Sequence, residues 1–376
     1  MGANTLLVAF EFVNDVHIAM GSGVLGAAIF LYNKMNTELG RSLCIGGLTA
    51  GCLYYAFLSR DKVIVTPEKV VFITGCDSGL GYSMAQHACS LGFTVIAGCL
   101  NRNSVGAIQL QKICNKQIVL LQIDITNSES IENAVKFLEN YMNEHKYSEL
   151  FALINNAGIL VFGEFEWNTE KQIMKIFDIN VIGTMNLTKA LLPMLRKYSG
   201  RIITISSHCA SAALPGLSIY AATKSALQAW SDALRVEQNK YGVSVVKFIP
   251  GSFIQQSNLM SNQNQNVYEM QSTMTQEQLQ FYGDYFKEYN AYLSTLSGYR
   301  KPAKIIDCDL YSIFERTLVD RQPQATYIRE TWRYKIFHTL FKITPVSLRD
   351  FLVVYFIQMP KWKPKKQHQE VSHVIA

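Results

Sequence analysis

Tyr220 and Lys224 are the residues whose spacing most directly suggests chemistry, since a phenol and an ammonium stand four positions apart in a segment without Gly or Pro. If this segment is helical, both side chains rise from one face of the helix. A free phenol has a pKa of about 10 and is a poor base near neutrality, whereas a fixed positive charge beside it favours the phenolate. The pair is therefore a candidate for proton transfer.

Ser207 stands thirteen residues before Tyr220, at the end of the apolar run Arg201–Ser206, which predicts a strand. A hydroxyl at a strand end could hold a carbonyl oxygen. The alternative is structural, because a Tyr-x-x-x-Lys pair alone is more often a packed ring beside a solvated ammonium. The neighbouring His208 suggests a serine hydrolase, but no G-x-S-x-G sequence surrounds the serine. We therefore expect His208 to line a pocket at most.

The elements that must position these groups begin at Lys69, where strand and helix patterns alternate and predict a parallel sheet covered by helices on both faces. The first predicted strand is Val70–Thr74. It runs into Thr74-Gly75-Cys76-Asp77-Ser78-Gly79-Leu80-Gly81 and a helix that opens at about Leu80. The backbone N–H groups of such a turn can receive a dinucleotide pyrophosphate.

Three further motifs follow other predicted elements. The segment Asn155-Asn156-Ala157-Gly158 follows the strand Phe151–Ile154, and Pro250-Gly251 follows the strand Val243–Ile249. Asn180-Val181-Ile182-Gly183 lies in a helical region. The remaining predicted strands are Thr94–Gly98, Ile118–Ile123 and Ala325–Ile328.

In this order and at these separations, the motifs resemble the short-chain dehydrogenase/reductase family over about residues 64–358. The resemblance implies an α/β fold, a doubly wound parallel sheet of the Rossmann type. It also implies that Tyr220 transfers the proton, Lys224 lowers its pKa and holds the cofactor ribose, Ser207 fixes the substrate oxygen, and Asn180 maintains a proton relay. The cofactor-binding positions that it implies are Thr74, Gly75, Asp77, Ser78, Gly79, Leu80, Gly81, Cys99, Asp124, Ile125, Asn156, Ala157, Gly158, Tyr220, Lys224, Pro250, Gly251 and Phe253.

The end of the second strand bears on the choice of cofactor. The segment Cys99–Gly106 carries no acidic residue for the adenosine ribose, and Arg102 is the nearest arginine. It resembles the branch of retinol dehydrogenases, 11β- and 17β-hydroxysteroid dehydrogenases and mitochondrial 3-hydroxybutyrate dehydrogenase, which implies NAD, with NADP not excluded. Asp124 either lies beside adenine, as the resemblance implies, or caps the next helix. Gln255 departs from the family, which usually has Thr there to orient the nicotinamide.

The N-terminal 63 residues contain two apolar runs, Val16–Tyr32 and Leu43–Leu58, joined by a polar link. Each run approaches the length that spans a bilayer, and their glycines suit close helix packing. The pattern predicts a membrane-anchoring helical hairpin at residues 1–63, with a buried amphipathic hairpin as the alternative. No Lys or Arg precedes Lys34, which argues against a cleaved signal peptide.

We expect a catalytic domain at residues 64–358, in which 256–300 form a substrate lid, and a basic tail at 359–376. Hydrophobic residues make up 49% of the chain and charged residues 17%, which favours contact with lipid. The formal net charge of +6 is concentrated around Lys361–Lys366 without a nucleic-acid module, so we expect an anionic membrane rather than nucleic acid as its partner. Eight cysteines without a C-x-x-C pair predict reduced thiols, a cytosol-facing domain and no metal site.

The sequence thus predicts a membrane-associated oxidoreductase that interconverts a hydroxyl and a carbonyl on a steroid or retinoid with NAD(H). The chain is also similar to an insect member of this branch tied to ecdysteroid synthesis. The expected location is the endoplasmic reticulum, or else a mitochondrial membrane, and pairing through the helix of Tyr220 would give a homodimer or tetramer. Two alternatives remain open at this point: a dehydrogenase of a short hydroxy acid, and a non-catalytic cofactor-binding scaffold.

Overall fold

The computed structural model describes residues 61–296, 301–357 and 359–363, together with positions 42, 46, 47 and 49. Its centre is one sheet of seven strands in the order β3-β2-β1-β4-β5-β6-β7, in which every pairing is parallel. The strands are β1 (Lys69–Thr74), β2 (Thr94–Cys99), β3 (Ile118–Gln122), β4 (Glu149–Asn155), β5 (Arg201–Ile205), β6 (Ser244–Ile249) and β7 (Thr326–Ile328). The predicted doubly wound α/β sheet is therefore confirmed.

Eleven α-helices lie in the continuously described segments. They are α1 (Gly79–Leu91), α2 (Val105–Cys114), α3 (Ser128–Glu144), α4 (Glu170–Phe177), α5 (Thr184–Lys197), α6 (Ser218–Asn239), α7 (Gln263–Thr273), α8 (Gln276–Leu296), α9 (Cys308–Val319), α10 (Trp332–Ile343) and α11 (Val346–Ile357). Helices α7 and α8 lie within the predicted lid, 256–300, and α10 and α11 form the end of the predicted catalytic domain.

The central strand β1 shows why the sheet is covered on both faces. Its side chains alternate, so Val70 and Phe72 enter the layer formed with α3, α5 and α6, while Val71 and Ile73 enter the layer of α1, α2 and α9. All four are fully buried. A continuous apolar run of this kind is typical of a parallel strand with helices on both sides.

Side-chain caps fix where several helices begin. Ser104, Asn127 and Asp307 each accept a hydrogen bond from the backbone N–H three residues later, at the start of α2, α3 and α9. The alternative that Asp124 caps α3 is therefore wrong, because Asn127 occupies that position. The Asp124 carboxylate instead accepts hydrogen bonds from the backbone N–H and hydroxyl of Thr126, at 2.9 and 2.7 Å.

The predicted N-terminal hairpin lies outside the described residues, apart from the positions named above. Among the helices that the structure does describe, none has the length and apolar character needed to cross a bilayer. The continuously described part of the chain starts at Asp61, beside the end of α9. The N–H of Val63 donates to the carbonyl of Val319 at 2.6 Å, and the N–H of Arg321 donates to the carbonyl of Asp61 at 2.8 Å.

Arg201, the first residue of β5, is a charged side chain buried at the same end of α9. Its guanidinium donates to the carbonyl of Thr317 at 2.8 Å and to that of Asp320 at 3.2 Å, and it lies 4.8 Å from the centre of the Phe151 ring. Burial lowers the pKa of Arg201 to about 10. These bonds satisfy carbonyls that the helix end leaves without an intrahelical donor.

Arg201→Met should therefore lower the free energy of unfolding by about 2 kcal/mol, because buried carbonyls lose a charged donor. Urea denaturation followed by circular dichroism measures the change. Arg196→Met is the matched control, since Arg196 is exposed and only lies over the ring of Tyr241. Equal destabilisation by the two substitutions would contradict this role of Arg201.

Candidate active site

Tyr220 and Lys224 lie one turn apart near the start of α6, as the sequence predicts. The Lys224 Nζ atom donates to the carbonyl of Ile205, the last residue of β5, at 3.0 Å, and it lies 5.7 Å from the centre of the Tyr220 ring. Lys224 is only 5% exposed, whereas Tyr220 is partly exposed. The helix and the strand end together fix both groups.

Burial dominates the ionisation of this pair. It lowers the pKa of Lys224 to about 8 and raises the pKa of Tyr220 above that of a free phenol, with the hydroxyl of Ser207 opposing the rise. The sequence led us to expect a phenol whose pKa is lowered by the lysine. In this structure the lysine is directed to the strand end, and desolvation of the phenol is the larger effect. In this structure the phenol of Tyr220 therefore keeps its proton near neutral pH.

Ser207 follows β5 directly and opens a short 3₁₀ turn over His208–Ala210. Its Oγ atom accepts a hydrogen bond from the backbone N–H of Cys209 at 3.2 Å, which holds the hydroxyl toward the start of this turn. Since Ser207 also interacts with the phenol of Tyr220, the two hydroxyls lie close together. His208 is directed elsewhere, and its Nδ1 atom lies 3.0 Å from the Glu330 carboxylate.

Asn180 lies in a π-helical turn, Asp178–Gly183, that joins α4 to α5. Such turns are rare and often occur at functional sites. The Asn180 side chain is completely buried, accepts from the N–H of Ile159 at 2.8 Å, and donates to the carbonyl of Ile159 at 2.9 Å. A Cβ atom added to Gly158 would lie 3.2 Å from Asn180 Oδ1 and 3.8 Å from Lys224 Nζ. Asn180 and Lys224 thus converge on the backbone that follows β4.

The turn after β1 is held against the turn after β4. The Thr74 hydroxyl accepts from the backbone N–H groups of Asn156 and Ala157, both at 3.0 Å. The amide of Asn156 donates in return to the carbonyls of Thr74 at 2.8 Å and Gly75 at 3.2 Å. These reciprocal bonds fix the two turns at the point where the strand order reverses, which is where open parallel sheets bind ligands.

The turn into α1 has the shape that a dinucleotide needs. Gly75 has a φ of 70°, which favours glycine. A Cβ atom at Gly81 would come within 2.2 Å of the Gly75 carbonyl oxygen, so only glycine fits. Ser78 precedes the helix without a side-chain cap, which leaves the N–H groups of the first turn available for an anion. The residues predicted for the pyrophosphate, including Gly79 and Leu80, therefore fit that group.

Asp77 connects this turn to the end of β2. Its carboxylate accepts from the N–H of Leu100 at 2.9 Å and from that of Asn101 at 3.2 Å. Cys99, which the sequence placed at the adenosine ribose, has a completely buried side chain that packs in the core. Burial raises its pKa to about 12. The negative charge at this strand end therefore comes from Asp77, while the side chain of Cys99 points into the interior.

The other predicted cofactor positions lie at the same edge of the sheet. Ile125 follows β3, and a Cβ atom at Gly183 would approach its carbonyl oxygen to 2.7 Å. Pro250 and Gly251 follow β6, where the backbone N–H of Arg329 donates to Ile249 at 2.9 Å. The Arg329 guanidinium lies 5.7 Å from the Phe253 ring centre. The side chain of Gln255 lies outside the part that the structure describes.

Sequence reasoning missed two residues that position this site. Thr223 accepts a hydrogen bond from Asn180 Nδ2 at 3.1 Å and donates to the carbonyl of Tyr220 at 2.7 Å, which links the π-helical turn to α6. Gly106 lets α2 approach the nucleotide turn, since a Cβ atom there would lie 2.0 Å from the Asp77 carbonyl oxygen. Thr223 stands beside Lys224 in the motif, but no sequence signal marks Gly106.

A third apolar cluster covers the catalytic edge, and we call it the lid cluster. Its buried members come from the segment after β4, from the start of α6, and from α7 and α8; Tyr220 packs against them. Trp167 is 2% exposed and lies 5.0 to 5.6 Å, ring centre to ring centre, from the four aromatic residues Tyr282, Tyr285, Phe286 and Tyr289 of α8. The predicted lid is therefore packed against the edge that carries Tyr220.

Two carboxylates next to Trp167 accept hydrogen bonds from side chains of α8. Glu164 accepts from the hydroxyl of Tyr285 at 2.6 Å, and Glu166 accepts from the hydroxyl of Tyr282 at 2.6 Å and the amide of Gln278 at 2.9 Å. The hydrogen bond to Glu166 raises the pKa of Tyr282 to about 12. A helix held by aromatic packing and by charged acceptors gives the cleft a well-defined apolar cover.

Comparison with known proteins places this architecture among characterised relatives. Estradiol 17-beta-dehydrogenase 2 from Mus musculus is 31% identical over 361 residues, which are 88% of this chain and 92% of that protein. Mitochondrial D-beta-hydroxybutyrate dehydrogenase from Mus musculus is 38% identical over 195 residues, so that 51% of this chain is matched to only 57% of that protein. 17-beta-hydroxysteroid dehydrogenase type 2 from Homo sapiens is 33% identical over 63% of this chain and 66% of its own length.

The fold also has solved counterparts. A short-chain dehydrogenase from Streptomyces avermitilis superposes with a TM-score of 0.56 at 23% identity, covering 77% of this chain and 97% of the other. The family model of the short chain dehydrogenases matches residues 69–267, more than half of the chain and the segment that holds every motif around Tyr220 and Lys224. Motif geometry, sheet order and sequence similarity over 88% of the chain therefore agree, and the chain belongs to the short-chain dehydrogenase family.

Proposed function

We propose that this protein is a membrane-associated oxidoreductase that interconverts a hydroxyl and a carbonyl group on a lipophilic substrate, of the steroid or retinoid class, with NAD(H). The observation that carries the proposal is the placement of Tyr220, Ser207 and the buried Lys224 around the end of β5, beside the turns of β1 and β4. Similarity to estradiol 17-beta-dehydrogenase 2 supports the substrate class. Steroid-hormone metabolism, including that of ecdysteroids, is the corresponding biological role.

The residues divide the chemistry between them. NAD(H), when bound, accepts or supplies a hydride. The Ser207 hydroxyl holds the substrate oxygen, and Tyr220 gives its phenolic proton to that oxygen during carbonyl reduction or takes it during alcohol oxidation. Lys224 provides a positive charge at the cofactor ribose and beside the phenol. Asn180 fixes the Ile159 backbone next to Gly158, so that a proton path to Lys224 stays open.

The lid cluster supports a lipophilic substrate over a short hydroxy acid. A small carboxylate needs a cationic partner in the cleft. Lys287 is the sole basic residue within the described lid, 256–296, and it is exposed. Arg329, close to Phe253, is already paired with Asp307. The similarity to D-beta-hydroxybutyrate dehydrogenase nevertheless makes 3-hydroxybutyrate the second candidate substrate.

Membrane attachment is the part of the proposal that rests on the two apolar runs of residues 1–60. The C-terminal helices add a second surface, because α11 exposes large apolar side chains, among them Phe351 and Tyr355, each 65% exposed. Apolar side chains and nearby lysines suit the interface of an anionic membrane. We place the catalytic domain on the cytosolic side of the endoplasmic reticulum, as a homodimer or tetramer that pairs through α6.

Tyr220→Phe should lower the turnover of a steroid alcohol with NAD⁺ by about 10²–10⁴-fold, the range that general acid–base groups supply. NADH affinity, measured by fluorescence titration, should change far less than turnover, since the phenol is only one of many groups expected to contact the dinucleotide. Lys224→Ala should weaken both. The assay compares a 17-hydroxysteroid, retinol and 3-hydroxybutyrate as substrates of the wild-type enzyme.

Each contrary result has a distinct meaning. Wild-type turnover in the Tyr220→Phe variant would refute the assigned role of the phenol. Faster oxidation of 3-hydroxybutyrate than of the steroid would refute the lipophilic substrate class and leave the mechanism intact. Tight NADH binding without turnover of any alcohol would favour a non-catalytic scaffold.

Asp77→Asn should shift the cofactor preference toward NADP(H), because the variant removes the negative charge that would repel a 2′-phosphate at the end of β2. The kcat/KM ratio for NAD⁺ over NADP⁺ should fall about tenfold, which corresponds to about 1.4 kcal/mol. Asp309→Asn, at an exposed carboxylate in the first turn of α9, is the control. A wild-type preference for NADP⁺ would contradict this assignment.

Removal of residues 1–60 should release most of the protein from membranes, because the family match begins only at residue 69. Full-length protein should resist carbonate extraction, whereas the truncated chain should keep a weaker attachment that salt disrupts. Sedimentation with anionic and neutral vesicles measures both. If the full-length chain is recovered in the supernatant without detergent, the anchor is absent and the two apolar runs pack within the protein.

A further inference from the structure

His208, Glu330 and His338 form a cluster beside the catalytic turn that the proposed reaction does not use. His208 follows Ser207 directly, Glu330 lies just beyond β7, and His338 belongs to α10. The Nδ1 atoms of the two histidines lie 3.0 and 2.9 Å from the same carboxylate oxygen, Oε1 of Glu330. The imidazole rings stack with their centres 3.9 Å apart. Three potential ligand atoms therefore lie close together.

We propose that this cluster binds a divalent transition-metal ion of the Zn²⁺ type. Two imidazole nitrogens and one carboxylate oxygen are a ligand set that Zn²⁺ accepts in proteins, with a fourth position left for solvent. The three ligand atoms lie within 4.8 Å of one another. The side chains are 12–19% exposed, which shields the site and still lets an ion enter.

Metal binding requires the two imidazole rings to rotate out of their stack, because an ion lies in the plane of each ring that binds it and the two ring planes are only 21° apart. Ligand atoms held about 2.1 Å from a tetrahedral ion lie about 3.4 Å apart, so the nitrogens of His208 and His338 must also move from Glu330 Oε1 by about half an ångström. Each imidazole must present a lone pair at Nδ1 and carry its proton on Nε2. The ion then replaces two N–H···O hydrogen bonds with three coordinate bonds, and no electron is transferred.

The location gives the site a consequence for the enzyme. The ion would join the turn that carries Ser207 to the strand end at Glu330 and to the C-terminal helix α10. The sequence predicts no metal site, because the three ligands come from separate segments and show no short spacing such as C-x-x-C. The alternative is that the three residues only hydrogen-bond to one another and so join the three segments. A titration with metal distinguishes metal binding from this structural role.

The test uses full-length, tag-free protein that has been treated with a chelator and is then titrated with Co²⁺, whose visible d–d absorption reports coordination by the protein. We expect one Co²⁺ per chain, displaced by Zn²⁺, without the intense near-ultraviolet band that a cysteine thiolate would add. Loss of an outer-shell partner typically weakens metal binding by about 10–100-fold. His338→Gln and Glu330→Gln each remove a ligand, so each should weaken Co²⁺ binding by at least that much. Added Zn²⁺ should raise the melting temperature of the wild type and not of these variants.

His145→Gln is the matched control, since His145 is exposed, belongs to the far end of α3 and stacks on Tyr141. It should leave the Co²⁺ spectrum unchanged. No saturable spectrum in the wild type would overturn the proposal and leave the cluster as a clasp of hydrogen bonds. A spectrum that survives both His338→Gln and Glu330→Gln would place the ion elsewhere and overturn it as well. Melting curves without metal establish that the variants are folded.

Discussion

The burial of Lys224 against the end of β5 is the constraint on which the rest of the site depends. An ammonium that is 5% exposed needs an acceptor, and the carbonyl of Ile205 supplies it at 3.0 Å. This bond fixes α6 against the sheet and hence places Tyr220 opposite Ser207. Desolvation lowers the pKa of the lysine to about 8. Small changes in the surroundings of Lys224 can therefore alter its charge. The nucleotide turn and the π-helical turn converge on the same place.

Much of this arrangement follows from local sequence. The strands agree with their predicted ranges to within two residues at either end, since a parallel strand buried on both faces is a continuous apolar run that turn residues interrupt. Tyr220 and Lys224 share a helix face because their spacing matches one turn. The glycines of the nucleotide turn are required by the close approach of backbone, as Gly81 shows.

The features that sequence did not predict depend on the direction of a side chain or on distant segments. Adjacent residues of a strand face opposite layers of the fold, and this alternation directs the side chain of Cys99, at the end of β2, into the core. The carboxylate of Asp77, from the turn after β1, reaches the end of β2 instead. Desolvation of Tyr220 depends on packing by the lid, which the motif does not contain. The cluster of His208, Glu330 and His338 is brought together by the sheet and α10 from residues up to 130 positions apart. In each case tertiary packing decides the outcome.

The amino and carboxyl ends of the strands bear on the orientation of the protein at the proposed membrane. Asp61–Val63 meets the end of α9 at the amino edge, where Arg201 begins β5, whereas α10 follows β7 from the carboxyl edge that carries the lid. Strands of five or six residues span about 17–20 Å. If residues 1–60 anchor the chain as we propose, the described segment next to that anchor and the C-terminal helices lie at opposite ends of the strands.

The most direct test of the central claim is the pH dependence of kcat/KM in both directions. Oxidation needs Tyr220 without its proton, and burial raises the pKa of this phenol, so the rate of alcohol oxidation should rise with pH through the alkaline range. Carbonyl reduction needs the protonated phenol, so its rate should fall over the same range. Because Lys224 and Tyr220 interact, the midpoint belongs to the pair. Profiles that are flat, or that change in the same direction for oxidation and reduction, would contradict proton transfer by Tyr220.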